Sequence, residues 1–247
     1  MKFRLLPLIL ASGLLQADTL SDLKGTLARL NGQEPIKASI DYQFWNKQGE
    51  EKKPVITEGK ATTFVEDGPQ GLKMSWSRSL IQKAAQEART KAKDPDKEAT
   101  TRRAIEDLKA IEVNDYFNGA EELLRRLEQG QLIEEKSEAW QGKPAKLLLF
   151  KLTPKMSKQN QKYIKSFEAS AKVWIGADGL PLAAETETRM KGRALLVISF
   201  EQQQKELFHF TRTGNRLVVI HHTEESSGSG GGERGQSKKV MTLNVSY

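Results

Sequence analysis

Three histidines, His209, His221 and His222, are the residues with the side chains to hold a metal or move a proton near neutral pH. His209 and His221 flank the turn signal Thr213-Gly214-Asn215, so they should lie on neighbouring strands. Two imidazoles are too few for a structural zinc site, and no H-x-x-x-H or H-E-x-x-H spacing occurs. His221 and His222 are adjacent and point to opposite faces of a regular strand. Cysteine is absent, which excludes disulfides, thiolate zinc sites, a cysteine nucleophile and an N-terminal lipidated cysteine. No serine stands in a G-x-S-x-G elbow. The carboxylate pairs Glu134-Glu135 and Glu185/Glu187 fall in strand segments near Lys and Arg, the pattern of surface ion pairing. These residues predict no catalytic group, no metal and no cofactor. The expected protein is not an enzyme.

The aromatic residues are the stronger lead. Tyr42, Phe44, Trp76, Trp140, Trp174 and Phe200 come from different expected strands, as do Phe208 and Phe210. If they converge, they form either a closed core or the wall of a cavity. The first six are the candidate ligand-lining residues.

The elements that must position them are mostly strands. Residues 172–190, KVWIGADGLPLAAETETRM, read as a β-hairpin. Val173, Trp174 and Ile175 are strand formers, 176–179 is a turn, and Pro181 opens the returning strand. Ile36, Ala38, Ile40, Tyr42 and Phe44 alternate with polar residues, the pattern of a half-buried strand. Further strands are expected at 55–65, 72–76, 132–140, 145–152, 194–202, 206–212, 216–223 and 240–247, with Gly142, Gly192 and Gly214 at turns. Leu20, Leu23, Leu27 and Leu30 recur at helical spacing and predict a helix over 18–30. A helical insertion is expected over about 79–129. Within it Asp94-Pro95 starts a second helix and Asn118 caps a third. Residues 226–236, SSGSGGGERGQ, read as a flexible loop without the Lys-Ser/Thr ending of a phosphate-binding loop. Residues 147–150, 195–198 and 217–220 are apolar on both faces, so both faces of those strands should be covered, one by the helices.

The first seventeen residues have the form of a secretory signal peptide: Lys2 and Arg4, an apolar run over 5–15, then a polar segment from Asp18. Cleavage is expected after Ala17, with Gly13 as the alternative. The run is shorter than the roughly 20 apolar residues of a transmembrane helix. A single domain over 18–247 in the periplasm is expected. The formal net charge is +7 with basic and acidic residues interleaved, which argues against nucleic acid as a partner.

The segment VWIGADGLPL, residues 173–182, resembles the strand-turn-strand hairpin of the LolA/LolB type of lipoprotein carriers. The order of elements is also similar: a helix, long antiparallel strands, a helical break, then a meander. The resemblance implies a mainly β (α+β) fold: a curved antiparallel sheet forming an unclosed half-barrel, covered by an N-terminal helix and a helical insertion. It implies a hydrophobic ligand or lipoprotein acyl chain, and the protein is expected to carry or sense it. A non-catalytic cell-envelope module with a filled core and a protein partner is the alternative. On the first reading, an apolar pocket is expected between the sheet and helices at 79–93 and 118–129, with Trp76 and Trp174 in its lining.

Overall fold

In a computed structural model of the protein, which describes residues 12–50, 52–153, 157, 161–194 and 198–246, the period-two pattern around Tyr42 produces a long strand, β1 (Ile36–Gly49). Its residues Ile36, Ala38, Ile40, Tyr42 and Phe44 are all buried, as their alternation requires. Before it comes α1 (Ser12–Arg29), and after it β2 (Val55–Gly68) and the short β3 (Gly71–Ser75). Four helices follow: α2 (Arg78–Lys93), α3 (Thr100–Asp107), α4 (Ala110–Phe117) and α5 (Gly119–Leu127). The chain then returns to strands: β4 (Gly130–Trp140), β5 (Lys143–Leu152), β6 (Ile164–Ile175), β7 (Pro181–Ala194), β8 (Ile198–Thr213), β9 (Arg216–Gly230) and β10 (Glu233–Ser246). The expected leader lies mostly outside the described residues. No described helix is long and apolar enough to cross a membrane.

The described strands form one antiparallel, unclosed sheet in the order β3-β2-β1-β10-β9-β8-β7-β6-β5-β4. The last strand pairs with the first, from Lys37↔Ser246 to Gly49↔Arg234. The helical insertion therefore leaves from one edge of the sheet and returns at the other. The protein is mainly β, and the hairpin at 172–190 forms as β6 and β7, Val173 facing Ala184.

Two apolar cores lie between the sheet and the helices. Under α3 and α4, Val113 and Phe117 pack with Ile40, Val65, Phe208 and Met241. Under α1 and α5, Leu23, Leu27, Leu123 and Leu127 pack with Leu148, Phe150, Val173 and Leu217. Each such side chain fully withdrawn from water contributes about 1.5–3 kcal/mol. A third cluster lies on the opposite face. There Leu147, Trp174 and Ala183 are covered by Trp140, Leu149 and Leu182. This cluster explains why 147–150 is apolar on both faces: helices cover one side and the tryptophans the other. The run at 195–198 lies outside the described residues except for Ile198, which is exposed.

A buried cation ties the α4–α5 junction to the strand ends. Arg216, at the start of β9, is 1% exposed. Its guanidinium donates to Asp67 Oδ2 at 2.6 Å, to Glu34 O at 2.9 Å, and to Phe117 O and Asn118 Oδ1 at 3.3 Å each. The strand ends and the α4–α5 junction thus share one planar donor fork.

Several expectations are corrected. Residues 226–236 are not a loop but the ends of β9 and β10, joined by Gly231-Gly232 with φ of +63° and +88°. Two positive φ values make the tight turn whose twist matches the flanking strands, and glycine adopts it without strain. Polar pairing holds the register, with Ser226 and Ser237 hydroxyls 2.8 Å apart and Lys238 donating to Glu225 at 2.7 Å. Gly231→Val is expected to cost about 1–2 kcal/mol, because a β-branched residue disfavours positive φ, while Gly231→Asn costs less. Urea unfolding of the two variants measures this, and equal midpoints for the valine variant and the parent would refute it.

Gly192 is not a turn but lies inside β7 opposite Phe200. A Cβ there would lie 2.3 Å from both the Phe200 ring and Tyr163 O, so only glycine fits. The two strands expected at 194–202 and 206–212 are one, β8. Asp94-Pro95 opens a turn rather than a helix, and α3 starts only at Thr100. A break at Leu108–Lys109 then separates α3 from α4. Asn118 makes no side-chain cap for α5; its amide donates to Asn114 O at 3.0 Å instead.

Candidate functional site

Across eight strands, one row of side chains faces the helices. Register pairs place Ala61, Tyr42, Met241, His222, Phe208, Ala184, Val173 and Leu148 side by side. Most of the row is sealed, but around Tyr42, Phe208 and His222 a chamber of about 270 Å³ remains under α3, α4 and α5. It is not apolar. Asp107, Glu112, Asp115, Glu122, Glu206 and Glu224 line it, with Lys109, Arg126 and Lys239. Most of these charges are already engaged. Arg126 donates to Glu122 at 2.6 Å and Glu206 at 2.8 Å, and its guanidinium lies 4.7 Å from the Phe208 ring centre. Lys239 and Glu224 are 3.2 Å apart, and the Tyr42 hydroxyl donates to Asp107 Oδ2 at 3.0 Å.

Burial tunes the titratable groups here. His222 stacks on Phe208 at 4.2 Å with its ring nearly parallel, and Nδ1 lies 3.1 Å from the Tyr116 hydroxyl. Its Nε2 is buried with no hydrogen-bond partner among the described residues. Desolvation drives its pKa down to about 4. Burial, with Asp107 close by, holds the Tyr42 phenol well above its ordinary value, and burial does the same for Tyr116. Burial, with Glu122 nearby, also raises the Asp115 carboxyl. Burial thus favours a neutral imidazole and un-ionised phenols in this chamber near neutral pH.

The larger opening is elsewhere. Between α1 and the turn ends of β4–β5 and β6–β7 lies an open cleft of about 730 Å³. Leu23, Ala139, Pro144 and Ile175 give it an apolar wall, and Ala145, whose side chain packs in the outer cluster, adds backbone with Gly176 and Gly179. It exists because α1 seats its leucine stripe on β5 and β6, while small residues at the strand ends leave space beside the helix. Asp22, Ser137 and Lys146 form a polar rim. Thr19 is tied across it, donating to Glu135 Oε1 at 3.0 Å and accepting from Lys146 Nζ at 3.2 Å. The volume falls within the roughly 300–1,000 Å³ of ligand clefts.

The six aromatic candidates do not line one cavity. Tyr42 borders the charged chamber. Phe44 is core, with the Arg103 guanidinium 4.5 Å from its ring centre. Trp76 lies between β3 and α2, its indole nitrogen buried without a hydrogen-bond partner among the described residues. Trp140 and Trp174 meet on the outer face with ring centres 4.4 Å apart, and the Trp174 indole donates to Glu138 Oε1 at 3.1 Å. Phe200 covers Gly192 near one end of β8.

The cavity therefore differs from the expected one. The helix at 78–93 packs on α3 and buries only Ala84 fully, and beneath α4 and α5 Phe117, Leu123 and Leu127 fill the sheet except at the small charged chamber. His209 and His221 do sit side by side, 5.3 Å apart on the outer face. Both His221 nitrogens lie within 3.2 Å of threonine hydroxyls, those of Thr242 and Thr223. Among the described residues no group of three or more His, Asp or Glu is placed to hold a metal ion. The residues missed in the sequence are the small ones, Ala139 with Gly176 and Gly179. Their signal was clustering at the ends of strands that flank α1. The chain matches no protein-family model, and no curated protein matches it.

Proposed function

We propose that the protein is an exported, non-catalytic binding protein of the periplasm, with a LolA-like half-barrel that holds an acyl chain or similar apolar ligand. The observation that carries this reading is the open cleft of about 730 Å³ beside α1, with its apolar wall and polar rim. Ligand and site meet there rather than at the centre of the sheet. An acyl chain entering the cleft is stabilised by about 25 cal/mol per Å² of apolar surface removed from water, and the rim leaves room for a polar head. The basic and apolar run over residues 2–17 supports export.

Titration with an environment-sensitive fluorescent fatty acid tests this. Saturable binding is expected. Ala139→Asp, at an exposed position on the cleft wall, should weaken it at least tenfold, about 1.4 kcal/mol, while leaving the fold intact. One observation favours a second reading: beneath α4 and α5 the helix-covered face of the sheet is largely filled, with Val113 and Phe117 completely buried and only the small charged chamber left open. A folded protein with no saturable binding would therefore be a cell-envelope scaffold that acts through a protein partner.

A further inference from the structure

Most charged residues on the helices are paired. Arg102 with Glu106, Arg103 with Asp107, Lys109 with Glu112, and Arg125 and Arg126 with Glu122 all form ion pairs within one or two turns. The outward face of α2 is different. Its inward face is set by the buried Ala84, the partly buried Leu80, and Glu87, which accepts from the Thr101 amide at 2.8 Å and hydroxyl at 2.7 Å. On the opposite side Arg78, Arg89 and Lys93 are exposed and make no ion pair with a described residue. At 3.6 residues per turn they fall within about 60° of one another and span about 22 Å along the axis. Gln82 and Gln86 lie along the same face, and no carboxylate lies on it. Ile81, 46% exposed, runs with Ala85 and Ala92 along one flank.

We propose that this crest of α2 docks on the anionic headgroups of a phospholipid bilayer. A straight row of cations on a ridge can touch a flat surface along its whole length. A cationic row with an apolar strip beside it is the arrangement of a helix lying in a membrane interface. No carboxylate on the face opposes the headgroup charge, and the lysine at the helix C-terminus is already favoured by the helix dipole. Docking here goes beyond the cleft reading, because it assigns the surface the protein visits rather than the ligand it holds.

Sedimentation of the full chain with vesicles tests this. Vesicles of phosphatidylcholine with phosphatidylglycerol should carry the protein down, and salt should release it; phosphatidylcholine alone should not carry it. Each cation near such a surface is worth about fivefold in partitioning, so Arg78→Gln, Arg89→Gln and Lys93→Gln together should lose about a hundredfold. A variant with Lys52→Gln, Lys53→Gln and Lys60→Gln removes the same charge elsewhere and should keep most of the binding. Unchanged thermal unfolding shows that each variant is folded, and fatty-acid binding in the cleft should be unaffected by either triple. Equal loss in the two triples overturns the proposal, as does binding to a DNA duplex or to neutral vesicles with none specific to the anionic ones.

Discussion

Replacing Arg216 with methionine is expected to lower the unfolding free energy by about 3–5 kcal/mol. Methionine fills similar space but offers no donor. It leaves Asp67, whose side chain is 12% exposed, without its cation, and leaves Phe117 O and Glu34 O without their side-chain donor. Removing one partner of a buried pair is costly because the other charge stays desolvated, not because the pair itself was strongly stabilising. The double variant Arg216→Met, Asp67→Leu should therefore recover a large part of the loss. Urea unfolding of the two variants measures both numbers. A single variant within about 1 kcal/mol of the parent would show that the four-acceptor fork does not hold the α4–α5 junction to the strand ends.

Acidification is expected to weaken the fold through His222 by about 3 kcal/mol. Its folded pKa, about 4, lies below the ordinary 6.5. The unfolded chain therefore binds a proton at a higher pH than the folded one. Stability is full above about pH 6.5, falls as the pH drops towards 4, and levels off below. Burial lowers the His209 pKa as well, with neighbouring His221 adding to it, and acts in the same direction. Asp115 acts the other way. Its carboxyl is raised by burial, so the folded state takes up a proton first and regains stability on acidification. His222→Gln isolates the histidine, because a neutral amide can still meet the Tyr116 hydroxyl. Urea midpoints between about pH 7 and about pH 4 should fall steeply in the parent and less in the variant. Parallel curves would place the acid sensitivity elsewhere.

Much of the sheet was legible from alternation. In β1 every second residue from Ile36 to Phe44 is buried, and in β6 Val173 and Ile175 face the helices. The same rule already separates Trp174 from them, since neighbours in a strand point to opposite faces. Its place in the outer cluster with Trp140 follows from parity, whereas convergence of all six aromatics would have needed parity to be ignored. What alternation does not carry is pairing across strands. The segment 226–236 has a linker's composition, yet β8 and β1 flank it on both sides and supply backbone partners. Composition describes what an isolated chain prefers; a sheet with an open ladder on each side overrides it. The cleft was hidden for a similar reason. Alanine and glycine at strand ends become a wall only when α1 lies beside them.

The placement of β10 between β1 and β9 has a consequence for assembly in time. The strands β1, β2 and β3 are made early, but among the described strands their only other neighbour in the sheet is β10, some two hundred residues later along the chain. Until β10 arrives, the early hairpin and the later meander are two separate fragments, each with an unfilled backbone edge. Such long-range closure is slow, and exposed edges invite association with other chains during the wait. A nascent chain of this protein therefore has reason to be met by a chaperone that masks strand edges, and removal of β10 alone should break the sheet into two aggregation-prone halves rather than shorten it by one strand.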